Sequence, residues 1–163
     1  MSEQTEPRSS DAPLEKIVVH LEIDREGLPV EVVTAEFEGA VNHPELAGKI
    51  AAILNLEAEE ILEELSKPEC LHPERHYGTL KLVCVDLHFE TEAKRHHFLP
   101  KTKWARVHAW GCKHFRIAVD ACANLELHSG SPEGPALNET KEIGHHHGCM
   151  DVWLVKPGPE KNG

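Results

Sequence analysis

Three stretches of this chain carry side chains that could bind or transfer something. The first is "GHHHGC", which sets His145, His146, His147 and Cys149 close together. Imidazole and thiolate are ligands for zinc, copper or nickel. Consecutive loop residues cannot all aim at one ion, however, and neither a Cys-x-x-Cys pair nor a His-Glu-x-x-His pattern accompanies them. The expectation is a solvated, His-rich loop and no dedicated metal site. The second stretch holds His108 and Cys112 at i, i+4, a spacing that can chelate on a helix. Cys112 or Cys122 with His108 or His114 could also make a thiol–imidazole pair. No third orienting group and no oxyanion site can be picked out around them, so an enzyme is not expected. A cysteine on a buried helix face is the commoner meaning of such a residue.

The third stretch is "WLVKPGPEKNG". An apolar run, residues 152–155, gives way to residues with no apolar side chain larger than proline. Either this is a frayed end, or the carboxylate of Gly163 is the working group. Activation of a carboxylate requires the chain to enter a narrow channel. Glycine removes the Cβ that would crowd the carbonyl and permits backbone angles closed to other residues. Pro157 and Pro159 hold the approach extended and deny it a strand partner. On that reading Pro157, Gly158, Pro159, Glu160, Lys161 and Asn162 are what an enzyme would recognise, and Gly163 is the conjugated residue.

Bulk properties narrow the classes. A net charge of −11 argues against nucleic acid, which needs clustered Lys and Arg. There is no apolar run long enough to span a membrane. A hydrophobic content of 40% in 163 residues suffices for one ordinary core or two small ones. "MSEQTEPRSSDAP" lacks the basic and apolar regions of a signal peptide and reads as a disordered arm, residues 1–13. Five cysteines, Cys70, Cys84, Cys112, Cys122 and Cys149, are an odd number at irregular spacing. With no secretion signal, free thiols in a reducing cytoplasm are expected.

The elements that must position these groups follow from periodicity. Ile17, Val19, Leu21 and Ile23 alternate with polar neighbours, as in a half-buried strand. "DREGLP" turns the chain into a second strand over residues 30–37. Asn42 or His43 opens a helix with Pro44 in its first turn and Leu46, Ile50, Ile53 and Leu54 on one face. "LEAEEILEELSKP" fits a second short helix or a helix followed by a strand. After the turn signals of "KPECLHPERHYG", Val83, Val85, Leu87 and Phe89 alternate with Cys84, Asp86 and His88, which should face outward. A turn and a short strand over residues 96–99 come next. Thr102 then caps a helix over residues 103–115, with Trp104, Val107, Gly111 and Phe115 on one stripe. Gly111 on that stripe would allow close approach. Leu125 and Leu127 begin another strand, and Met150, Val152 and Leu154 mark one face of the last. That leaves Asp151, Trp153 and Val155 outward, as a partner patch.

A hairpin, a helix across it and further strands completing a mixed sheet resembles the β-grasp, or ubiquitin-like, fold. The segment "NLELHSGSPEGPALNETKEIGHHHGCMDVWLVKPGPEKNG" is similar to the last half of such a domain: a strand, a Gly-rich turn, a leucine-led turn, a closing strand and a tail ending in glycine. The length suits two tandem domains, residues 14–76 and 79–156, the first short enough to be incomplete, with a flexible conjugation tail at 157–163. This resembles the interferon-induced tandem ubiquitin-like modifiers of vertebrates and, more closely, the modifiers of bacterial antiphage Bil operons. Such tails often end in two glycines; here Asn162 precedes Gly163. The resemblance implies an α+β fold and a modifier that is not itself an enzyme and carries no cofactor. Its partners would be an activating enzyme using ATP and magnesium, a conjugating enzyme, a deconjugating metalloprotease and target proteins such as phage structural proteins. The rival expectation is a His-rich metal-binding or adaptor module with a β-grasp core.

Overall fold

The computed structural model describes residues 14–157. The N-terminal arm and the tail residues Gly158, Pro159, Glu160, Lys161, Asn162 and Gly163 lie outside them. The described residues group into two compact units. One comprises residues 14–22 with Glu31–Leu80, the other Ile23–Val30 with residues 81–157.

The first unit takes its hairpin from β1 (Lys16–Arg25) and β2 (Glu31–Glu38). Val19, Leu21, Val33, Ala35 and Phe37 are buried at every second position, as alternation requires. Helix α1 (His43–Leu54) follows, with Pro44 in its first turn, and its entry is capped by Asn42, whose side chain accepts from the Glu45 N–H at 2.9 Å. Leu46, Ile50 and Leu54 are buried as expected. Ile53 is not, being 42% exposed. The buried arc runs through Ala47 and Ala51, which moves Ile53 to its edge. The ambiguous "LEAEEILEELSKP" forms a helix, α2 (Ala58–Leu65), packed on α1. A two-residue strand, β3 (Leu71–His72), pairs with the start of β4 (Tyr77–Phe89). Strand order places β1 between β2 and β4. Within this unit His20 N–H of β1 donates to His76 O, just before β4, at 2.9 Å.

The second unit reuses β4. Strand β5 (Glu92–Phe98) pairs antiparallel with it, and β7 (Cys149–Val155) pairs parallel with it on the other side. Strand β6 (Glu126–Ser129) lies antiparallel outside β7. The order is therefore β5-β4-β7-β6, a mixed sheet consistent with a ubiquitin-like β-grasp fold. Helix α3 (Trp104–His114) crosses one face with Trp104, Val107 and Gly111 buried. A Cβ built on Gly111 would stand 2.3 Å from Leu87 Cδ2 on β4 and 2.8 Å from Leu154 Cδ1 on β7. Close approach at Gly111 is thus to two side chains of the sheet. Phe115, at the end of the stripe, sits against Phe89, ring centroids 5.6 Å apart. A short helix, α4 (Val119–Ala123), follows.

Thr102 is not the cap of α3. That position falls to Lys103, which makes no side-chain cap bond. The first helical N–H groups are satisfied from elsewhere: Trp104 N–H donates to Lys141 O and Ala105 N–H to Glu139 O, both at 3.0 Å. Backbone carbonyls of "NETK" thus do what a capping side chain would otherwise do.

The cysteines also differ from expectation. Cys84 bonds to Cys149 and Cys112 to Cys122, and Cys70 is buried outside both disulfides. The parallel register sets Cys84 opposite Cys149, and the turn from α3 into α4 folds Cys122 back beside Cys112. Neither approach is visible as spacing in the chain. The free-thiol argument for a reducing compartment is thereby removed. Among the described residues no helix is long and apolar enough to cross a membrane.

Candidate functional site

The end of β7 gathers the sequence-predicted patch. Val152 and Leu154 are buried beneath α3, while Asp151 is exposed and Trp153 and Val155 are half-buried on the other face. Trp153 does not stand alone. Its ring stacks on His88 of β4, its register partner, with centroids 4.0 Å apart and planes 9° from parallel. The same His88 bonds through Nε2 to Asp151 Oδ1 at 2.9 Å. Two residues earlier on β4, Asp86 is held by Arg95 through two bonds of 2.8 and 3.1 Å. The hydrogen bond and charge of Arg95 keep the Asp86 carboxyl below the usual carboxylate range against the opposing effect of its burial. The outer face therefore presents an ordered aromatic–imidazole–carboxylate row.

Beside it, where β7 ends, lies a groove of about 850 Å³. Phe89, Ile117, Leu125, Trp153 and Val155 supply its apolar walls, and Lys156 stands at the exit. Trp153 and Val155 were legible as outward positions. Phe89, Ile117 and Leu125 were not, because they come from three different elements and converge only through the fold. Beyond the groove the backbone continues through exposed Lys156 and Pro157, the last of the described residues. The conjugation position Gly163 and the recognition residues Gly158 to Asn162 lie outside the described residues.

The histidine loop does not assemble a ligand set. His145 and His147 are exposed, His146 donates from Nε2 to Cys84 O at 2.9 Å, and Cys149 is tied to Cys84. Cys84, expected on an outer face, is fully buried. Two other groups do converge among the described residues. Cys84, Asp86 and Cys149 form one; His108, Cys112 and Cys122 form the other, each with its potential ligand atoms within 4.8 Å of one another. His108 is buried and bridges two acceptors, Glu139 Oε2 at 2.6 Å through Nδ1 and Cys122 O at 2.9 Å through Nε2. Glu139 is the orienting group that could not be identified from sequence. It lies 31 positions away and reaches His108 because "NETK" docks on the start of α3.

No protein-family model matches the chain, and no curated protein matches it. Among solved structures it is similar to an N-terminal ubiquitin-like domain determined in solution, at 13% identity and a TM-score of 0.38, over 50% of this chain and 81% of that one. Strand order and register carry the likeness to a β-grasp sheet.

Proposed function

We propose that the chain is a tandem ubiquitin-like modifier, conjugated through Gly163 to target proteins and acting in bacterial antiphage defence in the cytoplasm. The observation that carries this reading is the placement of β7. A closing strand runs parallel beside β4, and its outward residues Trp153 and Val155 line a groove at the point where the chain leaves the sheet. An enzyme gripping the groove would have the tail beneath its active site. The partner activating enzyme would use ATP and magnesium to adenylate the Gly163 carboxylate. The acyl group would pass to a cysteine of that enzyme, then to a conjugating enzyme, and then to a target amine such as a lysine on a phage structural protein. A partner metalloprotease would hydrolyse the resulting amide. The chain itself needs no cofactor and performs no catalysis in this scheme.

The test is reconstitution with activating and conjugating enzymes encoded beside it, followed by denaturing electrophoresis. Full-length chain should give ATP-dependent species of higher mass. Deletion of Gly163 should abolish them, because the acyl carbonyl moves to Asn162 with its crowding Cβ and the reach shortens by about 3.3–3.6 Å. Stability should change by less than about 0.5 kcal/mol, as for other surface changes. Equal adduct formation by the two chains would overturn the proposal. Replacement of Trp153 by Ala should weaken conjugation at the activation step while leaving single-residue hydrolysis of the tail by unrelated proteases unchanged.

A further inference from the structure

We propose that His108, Cys112 and Cys122 form a divalent-metal site that is closed while Cys112 and Cys122 are joined and opened by a thiol reductant. The three side chains come from two helices that the fold sets side by side, and their ligand atoms already lie within 4.8 Å of one another. One imidazole and two thiolates suit zinc, and a three-ligand set leaves a fourth position for water or a partner's side chain. Glu139 strengthens the case. Its carboxylate sits 2.6 Å from His108 Nδ1, the arrangement that fixes the ring of a metal-bound histidine and raises its basicity. The other nitrogen, Nε2, bonds only to a backbone carbonyl, that of Cys122, and exchanges this bond for the metal. Access is provided by α4, where Cys122 is half-buried between the groove residues Ala121 and Asn124.

The second convergent group is the weaker candidate. Asp86 is committed to Arg95 by two bonds, and Cys84 is fully buried. At the proposed site the chemistry balances in two steps. A dithiol reductant attacks the disulfide, the sulfur–sulfur bond breaks, two thiols form, and the reductant leaves as its cyclic disulfide. The two thiols then lose their protons, and His108 loses the Nε2 proton it had donated to Cys122 O, as the dication binds both sulfurs and that nitrogen. The site and the modifier reading stand independently.

The experiment uses the full chain, oxidised or reduced with dithiothreitol and desalted without oxygen, and titrates it with cobalt(II) alone. The reduced chain should show a thiolate-to-cobalt charge-transfer band saturating at one equivalent and displaced by zinc; the oxidised chain should show none. The band should persist in the Cys84→Ser, Cys149→Ser double variant and vanish in Cys112→Ser, Cys122→Ser. Glu139→Gln should weaken cobalt binding by about 10–100-fold, the usual effect of losing such a support. Should the serine variants not fold, the unmodified reduced chain still decides, because bound zinc should protect Cys112 and Cys122 from alkylation as read by peptide mass spectrometry. No charge-transfer band in the reduced chain, a band retained without Cys112 and Cys122, or equal alkylation with and without zinc overturns the proposal.

Discussion

At the scale of single residues, Gly111 and Asp86 carry the sharpest expectations. Gly111 was legible as a glycine on an apolar stripe, which marks close approach. What approaches, Leu87 and Leu154, could not be read without the register of β4 and β7. An alanine there must displace both, and overpacking of this kind costs about 1–3 kcal/mol. Urea denaturation of Gly111→Ala should show that loss as a lower midpoint at unchanged slope. Asp86 has its carboxyl held low by Arg95. A carboxylate whose folded value is depressed stabilises the fold above its unfolded value, about 4, and loses that contribution as pH falls through the folded one. Arg95 is 59% exposed, so the pair contributes only about 0.2–1 kcal/mol. Wild type and Asp86→Asn should therefore differ in urea midpoint at neutral pH and converge in acid. A constant gap across the range would show that the loss in the variant is one of packing. Glu139 had no signal at all in the sequence: a lone carboxylate in a turn-rich segment is indistinguishable from a solvated one until a helix is set against it.

At the scale of elements, periodicity was a good guide wherever an element buries one face over several residues. The first hairpin, α1, α3 and β7 are legible for that reason, and the stripe of α3 falls on the sheet as its spacing requires; β5 starts at Glu92, ahead of the expected 96–99, because its exposed first residues carry no apolar alternation. Trp104 is 3% exposed at the start of that stripe. Its replacement by Ala should cost about 3–5 kcal/mol, measured by chemical denaturation, if the helix is anchored there. A loss under about 1 kcal/mol would mean the site collapses around the smaller side chain. Elements that bury little were invisible. β3 has two residues, and α4 has five with none of them buried. The cap of α3 is hidden from the sequence for a related reason. Thr102 has the right chemistry at the right place, but a distant segment supplied backbone carbonyls and made a side-chain cap unnecessary.

At the scale of the molecule, the chain passes between its two units three times, twice inside strands. The passages fall after Glu22 within β1, between Val30 and Glu31 where β2 begins, and after Leu80 within β4. Boundaries drawn from sequence at turn signals, residues 76–79, cannot reveal the passage after Glu22, because "DREGLP" reads as an ordinary hairpin turn. Those residues serve the second unit. Glu26 N–H donates to Leu82 O, its carbonyl accepts from His97 Nε2, and its carboxylate accepts from Gly148 N–H. A fragment of residues 79–163 loses all three bonds and should be less stable than the same region in the full chain, visible as faster amide exchange along β4 and β5. Equal protection in both would show that the second unit is self-sufficient. The bond between Cys84 and Cys149 has a mechanical meaning as well. β7 lies parallel to β4, so tension on the tail loads that ladder in shear, where its bonds resist together. The covalent tie stands at the first residue of β7. An unfolding motor hauling on the tail would reel in only the residues beyond Cys149 and then stall against a closed loop of chain. Reduction would turn the same molecule from a knot into a thread.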